Sequence, residues 1–258
     1  MKREFEYESL MWDRWAAEIK QLLANPVMGD DMRERMAYTR RLIELTQFLK
    51  RVDIAISLQQ HLPPSDGYAI GDEAERAAAI HGDLTPQQLA AVKEYTKDGA
   101  NGTFSILNKA LRSGKRERYG ELNELQRTTD KNLEQLFDTK TGTTGPIRLY
   151  RGISRGHAYR ITRDKFYMDN GWSSASTSLA VALAYTGDDR RVAIIDLPQG
   201  YPAAALAKIS YKPHEAEVLL QKDCVFPKQG KHLKVKIEGD EREYVFLHFV
   251  YEGGKDDQ

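Results

Sequence analysis

A change of pattern near Gly142 constrains this chain more than any other feature of it. Upstream, apolar residues recur at three- and four-residue steps, the period of a helix with one buried face. Downstream, short runs rich in β-branched and aromatic residues are separated by Gly, Pro and Asp, the pattern of strands and turns. In the upstream part, Tyr7, Met11, Trp12, Trp15, Ile19, Leu22 and Leu23 build a first stripe over 5–23, ended by Asn25-Pro26. A second stripe over 31–62 uses Met32, Met36, Leu42, Ile43, Leu45, Phe48, Leu49, Val52, Ile56 and Leu58, and Pro63-Pro64 stops it. The pair predicts a helical hairpin whose stripes are helix-to-helix core, not a cofactor pocket. Residues 63–72, PPSDGYAIGD, read as a linker. Helices follow over 73–80, from Thr85 to Asp98-Gly99, and over 103–112 and 119–137. Thr85 caps the second of these, Pro86 suits its first turn, and Gln88 closes a capping box.

Predicted strands then run over 147–151, 172–177, 192–197, 204–210, 215–221, 233–238 and 243–251, with one short helix over 179–185. Helices first and strands afterwards describe an α+β fold, not a wound α/β sheet. The natural division is a helical N-terminal module, 1–72, that docks or stabilises, followed by a catalytic domain, 73–258.

Composition removes several function classes. The 38 Lys and Arg balance the 38 Asp and Glu, so no global field draws the chain to nucleic acid or an anionic membrane. Cys224 is the only cysteine, which rules out an intramolecular disulfide and a Cys-rich metal site. The six histidines are scattered, and His214-Glu215 lacks the second His of a zinc-protease helix, so no metal is expected. Asp98–Asn101 faintly suggests a calcium loop, but Lys109 stands where that loop needs an acid. No G-x-G-x-x-G is present, so a Rossmann NAD site has no support. No apolar stretch approaches the roughly 20 residues that span a bilayer. The charged N-terminus does not read as a secretory signal, which predicts a chain made in the cytoplasm and, if exported, delivered by a signal-independent route.

Three short pieces of the C-terminal half could carry chemistry. Leu149-Tyr150-Arg151-Gly152 ends an apolar strand with a guanidinium that forks onto phosphate oxygens, and Gly152 is read as letting the chain turn. Ser176-Thr177-Ser178, within GWSSASTS, leaves a strand and enters a helix that Ser178 caps. Glu215-Ala216-Glu217, within YKPHEAEVLL, would place two carboxylates side by side on one strand face. An anion so placed can stabilise the positive charge that builds on a sugar as its glycosidic bond breaks. Each piece alone has a blander reading: a rim salt bridge, a turn and cap, two solvated acids. The basic run Lys228–Lys236, KQGKHLKVK, reads as a solvated edge or a target-docking patch.

Taken in order, the Arg, Ser-Thr-Ser and Glu-x-Glu set resembles the R-S-E class of mono-ADP-ribosyltransferases. Tyr150 before the arginine, Trp172 before the serines, the AVALAY helix after them and Tyr211 ahead of the glutamates match it too. The stretch DLTPQQLAAVKEYT…LNKALR is similar to helices of the iota-toxin and vegetative insecticidal branch. The resemblance covers roughly 83–251 and leaves residues 1–72 unmatched.

The resemblance implies a split β-sandwich with flanking helices and NAD⁺ as substrate, bound in its cleft without a metal. Arg151, with Gly152 beside it, would hold the NAD⁺. Ser176 would hydrogen-bond Glu217, and Glu217 would grip the nicotinamide ribose and stabilise the cation. Glu215 would hold and deprotonate an incoming arginine, and Tyr211 would contact the target protein. Family members with Gln in place of Glu215 tend towards asparagine or cysteine acceptors, so Glu here points to arginine. The implied setting is a bacterial toxin or effector, or a phage protein, and the N-terminal helices would bind a partner or delivery machinery. Competing readings are an NAD glycohydrolase and a catalytically silent interaction protein that keeps the fold. A nucleic-acid acceptor is disfavoured by the charge balance.

Overall fold

The computed structural model of the chain describes residues 13, 15–26, 32–97 and 102–251. A helical segment at 15–24 (α1) precedes the long helix α2 (Met32–Gln59). Tyr7, Met11 and Trp12 of the first stripe lie outside the described residues, as do the helix stop at Asp98-Gly99 and the rest of the calcium-like segment to Asn101. Five helices follow: α3 (Gly71–Ala77), α4 (Pro86–Tyr95), α5 (Thr103–Arg112), α6 (Arg116–Gly120) and α7 (Glu124–Lys140). The capping box of α4 forms as read. Thr85 Oγ1 accepts from the Gln88 amide at 3.2 Å, and Gln88 Oε1 accepts from the Thr85 amide at 3.0 Å. Asn123 and Gln126 close a second box before α7.

The remaining elements are β1 (Ile147–Ile153), α8 (Arg155–Asp164), β2 (Phe166–Asp169), β3 (Ser173–Ser176), α9 (Leu179–Ala184), β4 (Arg191–Leu197), β5 (Ala203–Ala205), β6 (Glu217–Leu220), β7 (Cys224–Lys236) and β8 (Glu243–Val250). They hydrogen-bond in the order β2-β7-β8-β4-β1-β3-β6-β5. Among these strands of the described residues, β4 and β8 pair parallel and the other strand pairs are antiparallel. The α+β class and the helices-before-strands order therefore hold. The short helix α6, ahead of the helix expected over 119–137, escaped the sequence pattern, as did α8 and β2. In α8 the core-facing residues are Ala158 and Ile161. In β2 the alternation is inverted: Phe166 and Met168 are exposed while Tyr167 and Asp169 are buried.

The central strands bury both faces, which accounts for the near-continuous apolar run of β4. Ala193, Ile195 and Leu197 enter one core with Ile147, Leu149 and Leu247. Val192 and Ile194 enter the opposite core with Tyr150 and Phe246. That second core is completed by Leu179–Leu183 of α9 and by Trp15, Leu45, Phe48, Val52, Ala55 and Leu58 of α1 and α2. A third core joins α4, α5 and α7 to Trp172, Ala204 and Leu219. The first two helices thus share side-chain packing with the sheet.

The segment read as a linker is also tied to the sheet. Arg148 is buried and forks onto Asp196 at 2.7 and 2.8 Å. Its remaining donors reach the carbonyls of Pro63 at 2.6 Å and Pro64 at 3.0 Å. His248 Nε2 meets Asp196 at 2.6 Å. A buried ion pair of this kind contributes less to net stability than to a single geometry, and here it fixes where the chain leaves α2.

Candidate active site

A cleft of about 740 Å³ opens between β1, β3, the turn before β6 and the end of α4. Arg151, Gly152, Ser176, Glu215 and Glu217 all line it, so five residues from three distant stretches of chain converge. Tyr211 does not line it; it is 62% exposed, with its amide directed at Thr96 Oγ1 at 3.4 Å.

Arg151 leaves β1 on the edge shared with β3. Its Nη1 donates to the Ser174 carbonyl, and its Nη2 lies 3.5 Å from Asp169 Oδ2. Asp169 is buried and is also gripped by Arg112 of α5 at 2.7 and 2.9 Å. Arg151 Nε is buried without a hydrogen-bond partner among the described residues. The guanidinium is therefore oriented by its neighbours with donor capacity to spare. Gly152 is not a turn: β1 continues to Ile153. A Cβ there would stand 2.5 Å from the Ala182 carbonyl oxygen and 2.5 Å from the Tyr185 carbonyl carbon, so the glycine lets α9 approach the strand.

Ser176 pairs with Glu217 in the β3–β6 register, but its hydroxyl does not reach the carboxylate. It donates to the Glu215 carbonyl at 2.8 Å and accepts from the Ser178 amide at 3.0 Å. The expected Ser176–Glu217 hydrogen bond is thus replaced by bonds to backbone groups that the turn leaves open. Ser178 caps α9 as read, accepting from the Val181 amide at 3.3 Å.

The two glutamates do not share a strand either. Glu215 closes a 3-10 turn, Pro213–Glu215 (η2), and Ala216 adopts a left-handed conformation at φ 44°. β6 begins only at Glu217. The two-residue alternation of a strand does not apply across such a residue, yet both side chains still enter the cleft. The Ala216 carbonyl accepts from the Thr177 amide at 3.2 Å, which helps hold this backbone.

Glu217 is buried, and burial pushes its pKa up to about 7. The nearby Ser174 hydroxyl works in the opposite direction, although it has no partner at hydrogen-bond geometry among the described residues. Glu215 raises the value further, and Arg151 and Lys212 lower it. Glu215 itself is partly exposed; its Oε1 accepts from the Tyr185 hydroxyl and pairs with Lys212 Nζ at 3.1 Å.

The family model described as ADP-ribosyltransferase exoenzyme matches residues 72–245. The chain belongs to that family. Among solved structures, the transferase resembles Plx2a, an ADP-ribosyltransferase toxin from Paenibacillus larvae, at 17% identity and a TM-score of 0.51, over 65% of this chain and 88% of that one. It resembles exoenzyme S from Pseudomonas aeruginosa, solved with human 14-3-3 protein beta and carba-NAD, at 20% identity and a TM-score of 0.50, over 78% and 88%. It resembles BECa of Clostridium perfringens, solved with NADH, at 15% identity and a TM-score of 0.51, over 65% and 44%. No curated protein sequence matches it. The α+β fold is that of ADP-ribosyltransferase toxins, and the family uses NAD⁺ as its substrate.

Several residues of the transferase's cleft were not singled out from sequence. Tyr95 and Phe104 form one wall, ring edge to ring at 5.2 Å, and Lys97 stands beside them. Burial raises the Tyr95 phenol, which therefore stays protonated; it donates to the Trp172 carbonyl at 3.3 Å and accepts from Asn108 at 3.0 Å. Tyr185 and Lys212 lie within the AVALAY and YKPHEAEVLL stretches but received no role there, because their importance comes from meeting Glu215 across 30 and 3 residues of chain. Among the described residues, no group of three or more His, Cys, Asp or Glu is arranged to hold a metal ion.

Proposed function

We propose that this transferase moves ADP-ribose from NAD⁺ to an arginine side chain of a protein. The observation that carries the reading is the pairing of two unlike carboxylates in one cleft with Arg151, one buried and one half-exposed at the mouth. Arg151 and Gly152 take the pyrophosphate side of NAD⁺. Glu217, as the anion, holds the nicotinamide ribose and stabilises the oxocarbenium-like sugar. The bond from the ribose C1′ to the nicotinamide nitrogen breaks, and its electron pair leaves with neutral nicotinamide, so no general acid is required.

Arginine is a poor nucleophile, with a pKa above about 12, until a base draws on one of its protons. Glu215 replaces its Lys212 and Tyr185 contacts with the incoming guanidinium, orients it and accepts the proton as the new C1′–N bond forms. Ser176 acts through the turn: it holds the Glu215 carbonyl and the Ser178 amide. Tyr211, exposed beside the mouth, serves the target protein's surface. Residues 73–258 carry the reaction. A protein target fits the neutral charge balance better than nucleic acid does.

The test is to incubate the protein with NAD⁺ and agmatine, a small arginine mimic, and to follow nicotinamide and ADP-ribosyl-agmatine together. Wild type forms the adduct. Glu217→Gln lowers nicotinamide release about 10²- to 10³-fold. Glu215→Gln keeps NAD⁺ hydrolysis and loses the adduct. Nicotinamide release without adduct from wild type would instead favour an NAD glycohydrolase. No release from folded protein would favour a silent interaction module.

A further inference from the structure

Glu215 stands on a single 3-10 turn with a left-handed residue behind it. The turn has few backbone bonds of its own: the Glu215 amide to the Lys212 carbonyl at 3.0 Å, and the Ala216 amide to the Pro213 carbonyl at 3.4 Å. Besides Ser176 of β3, which bonds the Glu215 carbonyl at 2.8 Å, side chains from elsewhere hold it on two flanks. On one, the Tyr185 hydroxyl bonds Glu215 directly. On the other, Trp15 of α1 meets the half-buried His214 ring edge-on, with centroids 5.3 Å apart and planes at 87°.

Trp15 is only 3% exposed. It stacks on Phe48 of α2 at 4.2 Å, and Arg41 lies over its ring at 5.4 Å while bonding Glu18 at 2.9 Å. Its Nε1 has no hydrogen-bond partner among the described residues, so the ring acts by shape and contact alone. α2 also packs on α9, the helix that ends beside Tyr185. Both flanks of the Glu215 turn therefore lead back to the first two helices. By contrast, Arg151 and Glu217 are placed by β1 and β6, and Arg151 further by Asp169.

We propose that α1 and α2 form a positioning device for the acceptor side of the cleft, in which Trp15 seats His214 and α2 seats α9 and Tyr185, so that Glu215 faces the incoming nucleophile. The proposal rests on the reading of Glu215 given above. Trp15 is a positioning residue and touches neither substrate. Its removal changes where the ADP-ribose goes, to water in place of the acceptor, and leaves NAD⁺ cleavage running.

The experiment compares Trp15→Ala, Trp15→Phe, His214→Ala and the Trp15→Ala/His214→Ala double variant in the full chain. Adduct formation on agmatine and NAD⁺ hydrolysis are measured together, with hydrogen exchange at the Glu215 and Ala216 amides. In Trp15→Ala, transfer falls about tenfold, hydrolysis stays within roughly twofold of wild type, and the two amides exchange faster. Trp15→Phe restores most of the transfer, because no hydrogen bond is lost. The double variant is no worse than the worse single one. A parallel fall of both activities, unchanged transfer, or additive losses would overturn the proposal. If Trp15→Ala does not fold, His214→Ala, which leaves the helix core intact, decides by the same criteria. If wild type cleaves NAD⁺ but does not modify agmatine, the arginine reading fails, and amide exchange still decides the positioning role.

Discussion

At the floor of the cleft, Arg151, Ser174, Ser176 and Glu217 stand on three neighbouring strands, β1, β3 and β6, whereas at its mouth Glu215 and Lys212 stand on one turn and Tyr185 on a helix end. Strand pairing locks the floor groups in register and buries Glu217, and that burial pushes its pKa up to about 7. The mouth is held by a few side-chain contacts and stays half-exposed. In the proposed reaction the division is useful. Cleaving NAD⁺ needs one unvarying geometry, while an acceptor presented by another protein needs a surface that can adapt to it.

The largest effect should come from breaking the floor. In Gly152→Ala the new methyl has only backbone of Ala182 and Tyr185 to push against, so β1 and α9 must separate. Nicotinamide release should fall about 10²-fold, with a lower melting temperature, as steady-state assays and thermal denaturation would show. Full activity in that variant would mean the floor is not rigid.

The next effect concerns protonation. Because burial raises Glu217 from its ordinary 4.5 to about 7, its anion is the minor form below neutrality. Nicotinamide release, measured as kcat/KM, should therefore drop about tenfold per pH unit below that value. The linked stability runs the other way. The folded state binds the extra proton, so the contribution of Glu217 to stability is fully present below 4.5 and is lost as pH rises to about 7. A pH-independent rate between about 5 and 7 would show that Glu217 is not the group that must ionise.

The smallest effect belongs to the mouth. Tyr185→Phe removes one hydrogen bond to Glu215 at a partly exposed site, worth about 1 kcal/mol. Adduct formation should fall about fivefold, and hydrolysis less. Equal losses in both would erase the distinction between floor and mouth.

The two regions also differ in how legible they were. Arg151 and Glu217 lie on strands whose apolar runs announce themselves, and the resemblance carried by the order of the three motifs implied that they share one site. The α4 capping box and Ser178 cap were equally readable, because capping is settled within four residues of chain. The mouth was misread. Glu215 was assigned to a strand because no local signal reveals that Ala216 takes a left-handed turn, a conformation a non-glycine residue adopts only when its surroundings impose it. β2 was missed for a related reason: its buried positions include Asp169, which is tolerable only because Arg112 and Arg151 meet it there. Residues 63–72 have the composition of a free linker, and contacts from far along the chain tie them down: Arg148, 84 residues beyond Pro64, reaches its carbonyl, and the Ala69 amide bonds the Pro146 carbonyl at 2.8 Å.

By itself, then, the sequence determined the α+β class and the placing of helices before strands, because periodicity, capping and strand composition act over a few residues, while the resemblance to the R-S-E class singled out the Arg, Ser-Thr-Ser and Glu-x-Glu set. The tertiary structure alone decided that Ser176 bonds backbone in place of Glu217, that Tyr185 and Lys212 attend Glu215, and that Trp15 reaches His214. Those arrangements depend on contacts between segments far apart in the chain, where packing and burial, not local preference, select the geometry.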